Sequence, residues 1–349
     1  MSFELISKKP RKGLLKVKGK EIVTPFFMPV ATKATGKGVT SDDYTDLGNG
    51  LNSRSIISNS LLLHMKPGEA LIEKLGGIHK FMNFNGVIFT DCGGFQVSST
   101  FFENITKNSI VFKNPYTTGT VRLTPEKAMQ IQHSIGSDVA MVLDEMAPYG
   151  ASFEEAEKAM HKTHEWAVRS LNEHKRLESI KPTGQKVFAI VQGNFFPDLR
   201  KQSALFLREH DFDGFAIGGV AIGESQDEML SAVKWALPHI PKDKPRYVMG
   251  VGKPDDVRKL IELGIDCFDS IYPAKNARHG SLFTQTGSIP IGKGRFSEDL
   301  TSIDENCNCK TCTNFTRAYI HHLDKIKEPS GNRLKTIHNL YFMESLVRK

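Results

Sequence analysis

The sequence predicts an α/β protein built as a (β/α)8 TIM barrel with loop insertions, and three observations carry that reading. Eight short apolar runs rich in Val, Ile and Phe recur along the chain. Stretches of helical period separate them, and polar or acidic residues close the runs at one end. An open doubly wound sheet usually has fewer strands and a glycine-rich phosphate turn after the first, and no such turn follows the first run here.

In order, the predicted strands are FFMPV (26–30), SIIS (55–58), GVIFT (86–90), DVAMVL (138–143), KVFAIV (186–191), GFAIG (214–218), RYVMG (246–250) and IDCFD (265–269). Helix starts are marked by Thr124-Pro125-Glu126 and by Ser152 with Glu155, a capping box that opens an amphipathic run to about Leu177. Further helices are expected over 197–210, 226–237 and 254–264. The long interval after GVIFT contains SIVFKNPYTTGTVRL, which predicts a β-hairpin insertion at about 98–123. The basic N-terminal run Lys8, Lys9, Arg11, Lys12, Lys16, Lys18 and Lys20 reads as a solvated strand face.

Composition narrows the function classes. The chain has 349 residues, 46 Lys and Arg against 39 Asp and Glu, and 39% hydrophobic residues, enough for a large core and too apolar for a disordered polymer. No apolar run is long enough to span a membrane, and the charged N-terminus does not resemble a signal peptide, so a soluble cytoplasmic protein is expected. A net charge of +7 fits a nucleic-acid partner without requiring one. Three of the five cysteines, Cys307, Cys309 and Cys312, form a tight cluster that in a reducing compartment points to a metal. Structural zinc needs a fourth ligand, and His321, His322 and His338 are the candidates.

The strand ends gather Asn59, Asp91, Asp144-Glu145, Gln192-Gly193, Gly219 and Asp269. In a barrel all of these converge on the C-terminal rim, where active sites of this fold lie. Acidic residues and two amides around one rim suit a flat polar ligand and carboxylate chemistry.

The segments DCGGFQ (91–96), VLDE (142–145), IVQG (190–193), AIGGVAIGE (216–224), RYVMGVGKPDD (246–256), GIDCFDSIYP (264–273) and CNCKTC with a later His closely resemble the tRNA-guanine transglycosylases of bacterial type. The likeness runs in order from FFMPVAT to HNLYF. It implies a catalytic barrel over 1–273 and a zinc-binding subdomain with a closing helix over 274–349. It also implies exchange of the wobble guanine of GUN-anticodon tRNAs for a 7-deazaguanine, in queuosine biosynthesis. On this resemblance Asp269 is the nucleophile on the ribose and Asp91 the general acid/base. Asn59, Phe95, Asp144, Gln192, Gly219, Val220 and Met249 are substrate contacts, with Phe95 and Met249 sandwiching the base. Lys275, Arg278 and His279 contact the tRNA anticodon loop. Cys307, Cys309, Cys312 and His338 hold structural zinc, and His321, His322, Phe315 and Tyr319 match a homodimer contact region.

The chain departs from the family pattern at several positions. Cys92 stands where Ser is usual, Met146 where a smaller residue is usual, Ser60-Leu61-Leu62 for Thr-Tyr-His, and Lys275 for Arg. The chain ends soon after His338, so a short closing helix is expected. Bulky Ile222 favours the small base 7-aminomethyl-7-deazaguanine. Direct insertion of queuine, and a non-catalytic RNA-binding subunit of the same fold, are the alternatives. The presence of both Asp91 and Asp269 weighs against the second.

Overall fold

A computed structural model describes residues 3–93, 102–114 and 116–348. Three antiparallel strands come first, β1 (Phe3–Lys8), β2 (Arg11–Val17) and β3 (Lys20–Val23). The barrel begins with β4 (Phe26–Pro29), β5 (Ser55–Asn59) and β6 (Val87–Asp91). A second antiparallel sheet follows, β7 (Phe102–Ile105), β8 (Ile110–Lys113) and β9 (Thr120–Leu123). The barrel resumes with β10 (Val139–Met141), β11 (Lys186–Val191), β12 (Gly214–Ile217), β13 (Arg246–Val248) and β14 (Cys267–Ser270). A hairpin, β15 (Ser281–Thr284) and β16 (Gly287–Pro290), lies beyond it.

The eight predicted runs become eight parallel strands in the order β4-β14-β13-β12-β11-β10-β6-β5. A parallel bridge between Val30 and Ile57 joins the two ends, backed by Ala31 N donating to Ile57 O at 2.8 Å and Asn59 N to Thr32 O at 3.0 Å. The sheet is thereby closed and has no free edge. Its interior is packed with rings: Phe89 meets Phe26, Phe188 and Tyr247 at centroid distances of 6.1, 5.6 and 6.1 Å. Edge-to-face packing of this kind fills a narrow barrel and fixes ring orientation. It aims the Tyr247 hydroxyl at the rim.

The helices start where the caps require. Thr124 accepts from Lys127 N before the helix Pro125–Ile135, and Ser152 forms the expected box with Glu155 before Phe153–Ile180. The insertion has one strand more than a hairpin, because Phe102–Ile105 adds β7 beside β8. The closing helix is not short: Pro329–Arg348 runs 20 residues and packs on β4 and the helix Pro254–Glu262. Its sequence carries small, polar and apolar residues without a sharp stop, so proximity to the chain end misled the expectation.

The N-terminal basic run is only partly solvated. Arg11 is buried and forks onto Asp266, with its Nη2 at 2.9 Å from Oδ2, while its other donors reach Lys242 O and Lys244 O. Lys18 donates to Ser137 O at 2.8 Å, and Lys20 pairs with Asp138 at 2.9 Å. These residues cover the N-terminal end of the barrel, away from the polar rim. A buried charge is tolerated only when paired and hydrogen-bonded, and Arg11 with Asp266 meets that condition.

Candidate active site

The rim encloses a cavity of about 380 Å³ lined by Asp91 at the end of β6 and Cys92 just beyond it, Asp144 to Met146 after β10, Gly218 to Ile222 after β12, Met249 and Gly250 after β13, and Asp269 on β14. Asp269 Oδ1 accepts from the Tyr247 hydroxyl at 2.6 Å and from Gly250 N at 2.8 Å. Burial pushes the Asp269 carboxyl above its ordinary value, and the two donors oppose that shift. Asp91 Oδ1 accepts from Gly93 N at 2.9 Å, which fixes the carboxylate at the start of its turn.

Asp144 faces the same cavity. Its Oδ2 accepts from Gln192 Nε2 at 2.7 Å, and the Cys92 thiol donates to Oδ1 across 3.8 Å. Burial is the leading cause that lifts its pKa to about 6, with the Gln192 and Cys92 donors pulling the other way. Gln192 itself is 2% exposed and stands behind Asp144. A Cβ at Gly219 would lie 2.7 Å from Gln192 Oε1, and the residue's φ is +62°, so glycine is required for this close approach.

Among the substrate contacts expected from sequence, Asp144, Gly219, Val220 and Met249 line the cavity together with Asp91 and Asp269. Asn59 is buried and caps the helix Ser60–Met65 through Leu62 N at 2.8 Å. Phe95 lies outside the described residues. Lys275 and Arg278 lie on the helix Tyr272–Arg278, with His279 at its end, directly after the strand of Asp269. Position 273 falls inside this helix.

Cys307, Cys309, Cys312 and His338 converge, with all four possible ligand atoms within 4.8 Å of one another. His338 Nδ1 faces the three sulfurs at 3.6, 3.6 and 3.3 Å, while Nε2 donates to Phe283 O at 2.7 Å. That second bond fixes the tautomer that leaves Nδ1 free to bind a cation. Hydrogen bonds from Cys307 and Cys312 hold the Cys309 thiol below its ordinary value, while Cys307 is pushed up. Three crowded sulfurs cannot all ionise unless a cation is shared, so the donor set fits a tetrahedral metal. His321 is engaged elsewhere, with Nδ1 2.8 Å from Ile291 O.

The model of one protein family, described as queuine tRNA-ribosyltransferase, matches residues 7–349. The chain belongs to that family. A queuine tRNA-ribosyltransferase of Streptococcus agalactiae is 44% identical over 326 residues, covering 93% of this chain and 83% of the relative. One of Tolumonas auensis is 41% identical over 351 residues, covering 100% and 92% respectively. One of a Psychrobacter species is 42% identical over 344 residues, covering 97% and 88%. As a queuine tRNA-ribosyltransferase family member, the chain is an enzyme of the tRNA-guanine transglycosylase kind.

Three residues that shape this family site escape sequence reasoning. Tyr247 reads as an interior strand residue, and nothing local signals its bond to Asp269. Arg200 sits inside an amphipathic helix pattern, yet it is fully buried and donates to Asn194 O, Val191 O, Gly218 O and Gly219 O at 2.6, 3.0, 2.7 and 3.1 Å. Burial lowers its pKa to about 9, with the charge of Glu224 opposing the shift. Glu224 accepts from Ala221 N and Ile222 N, closing the β12 loop from outside. For Glu224 a signal existed: a carboxylate two and three residues beyond a Gly-rich turn commonly caps its N–H groups. Among the described residues no helix is long and apolar enough to cross a membrane.

Proposed function

We propose that the enzyme exchanges the wobble guanine of GUN-anticodon tRNAs for a 7-deazaguanine through a covalent Asp269–ribose intermediate, as a step of queuosine biosynthesis. The observation that carries this reading is the placement of Asp269 and Asp91 on one cavity, with Asp144 lining it as well. An Asp269 oxygen forms a bond to the ribose anomeric carbon as the bond to guanine breaks, through an oxocarbenium-like transition state. Asp91 gives the departing guanine its proton. The incoming base returns a proton to Asp91, attacks the same carbon and releases the Asp269 carboxylate. Each bond broken is matched by one formed, and the tRNA stays attached throughout.

Base choice follows from the pocket edge. Ionised Asp144 accepts N–H groups of the guanine edge, while Gln192 and the Gly219 N–H supply donors for its carbonyl. An adenine edge would leave these buried groups unpaired. Phe95 and Met249 sandwich the ring, Val220 completes the contact, and Asn59 acts near the reacting ribose. Ile222 on the cavity wall favours 7-aminomethyl-7-deazaguanine over queuine. The target nucleotide must leave its stack to enter, so a single-stranded loop is read. Lys275, Arg278 and His279 hold the anticodon loop.

Zinc is the metal of the Cys307, Cys309, Cys312 and His338 cluster, and it is structural, tying the segment 274–349 together beside the barrel over 1–273. Phe315 and Tyr319, stacked at 5.3 Å with Tyr319 44% exposed, form part of a homodimer contact. The enzyme works in the cytoplasm.

The deciding experiment is trapping. With substrate tRNA, the unsubstituted enzyme should form a complex that survives denaturation, and Asp269→Asn should not. Persistence of the complex in that variant would overturn the nucleophile. Exchange assays with each base test the pocket, and efficient uptake of queuine would overturn the small-base reading.

A further inference from the structure

The loops at the rim divide by charge. Residues 144–152, 192–196 and 218–225, after β10, β11 and β12, include Asp144, Glu145 and Glu224 and no Lys or Arg. The segments after β14, β4 and β5 carry Lys275, Arg278, Lys33, Lys37 and Lys66, with the acidic residues Asp42, Asp43, Asp46, Glu69 and Glu73 further along the last two. These strands are consecutive around the barrel: Asp269 of β14 sits beside Met28 of β4, and β4 closes on β5. These basic residues therefore lie along one continuous arc of three strands that starts at the proposed nucleophile.

That arc ends on an exposed ring. Tyr116, on the turn between β8 and β9, is 39% exposed. Lys33 Nζ lies 5.1 Å and Lys66 Nζ 5.7 Å from its ring centroid. Both lysines are exposed, and among the described residues neither pairs with a carboxylate. An ordinary surface lysine gains little from being held in place. Here two ammonium groups from separate barrel loops are gathered on one ring by cation–π attraction, which pre-positions positive charge without neutralising it. The same sheet that carries Tyr116 reaches the cavity through Ile105 and Ile110, so the ring and the base pocket belong to one covering element.

We propose that Lys33, Lys66 and Tyr116 form a second tRNA contact, in which the two ammonium groups bind backbone phosphates flanking the exchanged nucleotide and the ring stacks on an unpaired base. This rests on the reading that the cavity exchanges a tRNA base. Phosphate contacts supply affinity, and stacking on an aromatic ring tolerates any base, which suits an enzyme that must hold a loop after extruding one nucleotide.

The test measures binding of an anticodon stem-loop, across a salt series, to the full chain and to the surface variants Lys33→Glu/Lys66→Glu and Tyr116→Ala. The charge reversal should raise Kd at least about tenfold and make the logarithmic salt slope shallower by about 1.4, the value for two single-strand phosphate contacts. Tyr116→Ala should raise Kd at least about fivefold with the slope unchanged. In exchange assays the loss should fall on KM for tRNA and not on KM for guanine. Equal Kd and equal slope in both variants would overturn the contact. An unsubstituted enzyme that binds the stem-loop but exchanges no guanine would overturn the functional reading instead, because the binding comparison does not depend on turnover.

Discussion

The Tyr247 hydroxyl donates to Asp269 Oδ1 across 2.6 Å, and Gly250 N donates to the same oxygen at 2.8 Å. Among the described residues both bonds fall on Oδ1, so Oδ2 is the oxygen left for the proposed attack on the ribose. Burial raises the Tyr247 phenol well above its ordinary value, so it remains a donor at any working pH. Removing it with Tyr247→Phe deprives a buried carboxylate of a charge-assisted bond, worth about 1.5–3 kcal/mol. We expect kcat to fall roughly tenfold to a hundredfold. The acid limb of the pH–rate profile should also move to higher pH, because a donor that favours the ionised form is gone. Single-turnover rates across pH check both outcomes.

Asp144 provides a separate pH dependence. Its pKa is raised to about 6 by burial, and the proposed base recognition needs the ionised form as acceptor. KM for the base should therefore rise as pH falls through about 6, by roughly tenfold at one pH unit below. The stability effect has the opposite sense: a carboxyl raised in the folded state favours folding below its unfolded value, and that contribution is lost as pH rises through about 6. Asp144→Asn should weaken base binding at every pH and remove the limb, as steady-state kinetics with labelled guanine would reveal.

Arg200 is a positioning residue, since it holds the carbonyls around Gln192 and Gly219 and lies behind them. Arg200→Met would leave four buried carbonyls without that donor and should cost about 3 kcal/mol or more. Thermal unfolding should register the loss. Arg200→Lys retains the charge but cannot fork to four acceptors. It should fold, with KM for the base raised and KM for tRNA little changed, a split that a purely structural role would not produce.

The metal prediction is stoichiometric. Elemental analysis should find one zinc per chain, and Cys309→Ser should abolish it. The variant's C-terminal segment, from Ser281 onward, should become sensitive to protease, because His338 and the three sulfurs join the loop after β16 to the closing helix. Retention of full zinc by Cys309→Ser would contradict the ligand set.

The barrel was legible because each strand is a short apolar run ended by a polar residue, and such runs have few other uses in a chain of this length. The candidate site was legible for the same reason, since Asp91 closes β6, Asp269 lies near the end of β14 and Asp144 comes soon after β10. What stayed hidden depends on contacts between distant segments. Arg11 sits in a lysine-rich run that reads as a solvated strand face, and only the fold reveals its fork onto Asp266, 255 residues away. Arg200 occupies a helix position where Arg is ordinarily solvated. The strand Phe102–Ile105 carries no alternation strong enough to separate it from a loop. The closing helix was underestimated because proximity to the terminus says nothing about length when β4 and a neighbouring helix supply the packing surface.

The closure of β4 against β14 also bears on how the protein is made. Asp269 is paired with Met28, so the first barrel strand to leave the ribosome must wait for the last before it has both neighbours. Pairings of such long sequence separation form slowly, because loop closure precedes any compensating contact. A nascent chain ending anywhere before β14 exposes two open sheet edges and lacks Asp269. Under the proposed mechanism the nucleophile and barrel closure therefore arrive in the same late event, and a chain truncated before β14 would lack the carboxylate proposed to hold the tRNA.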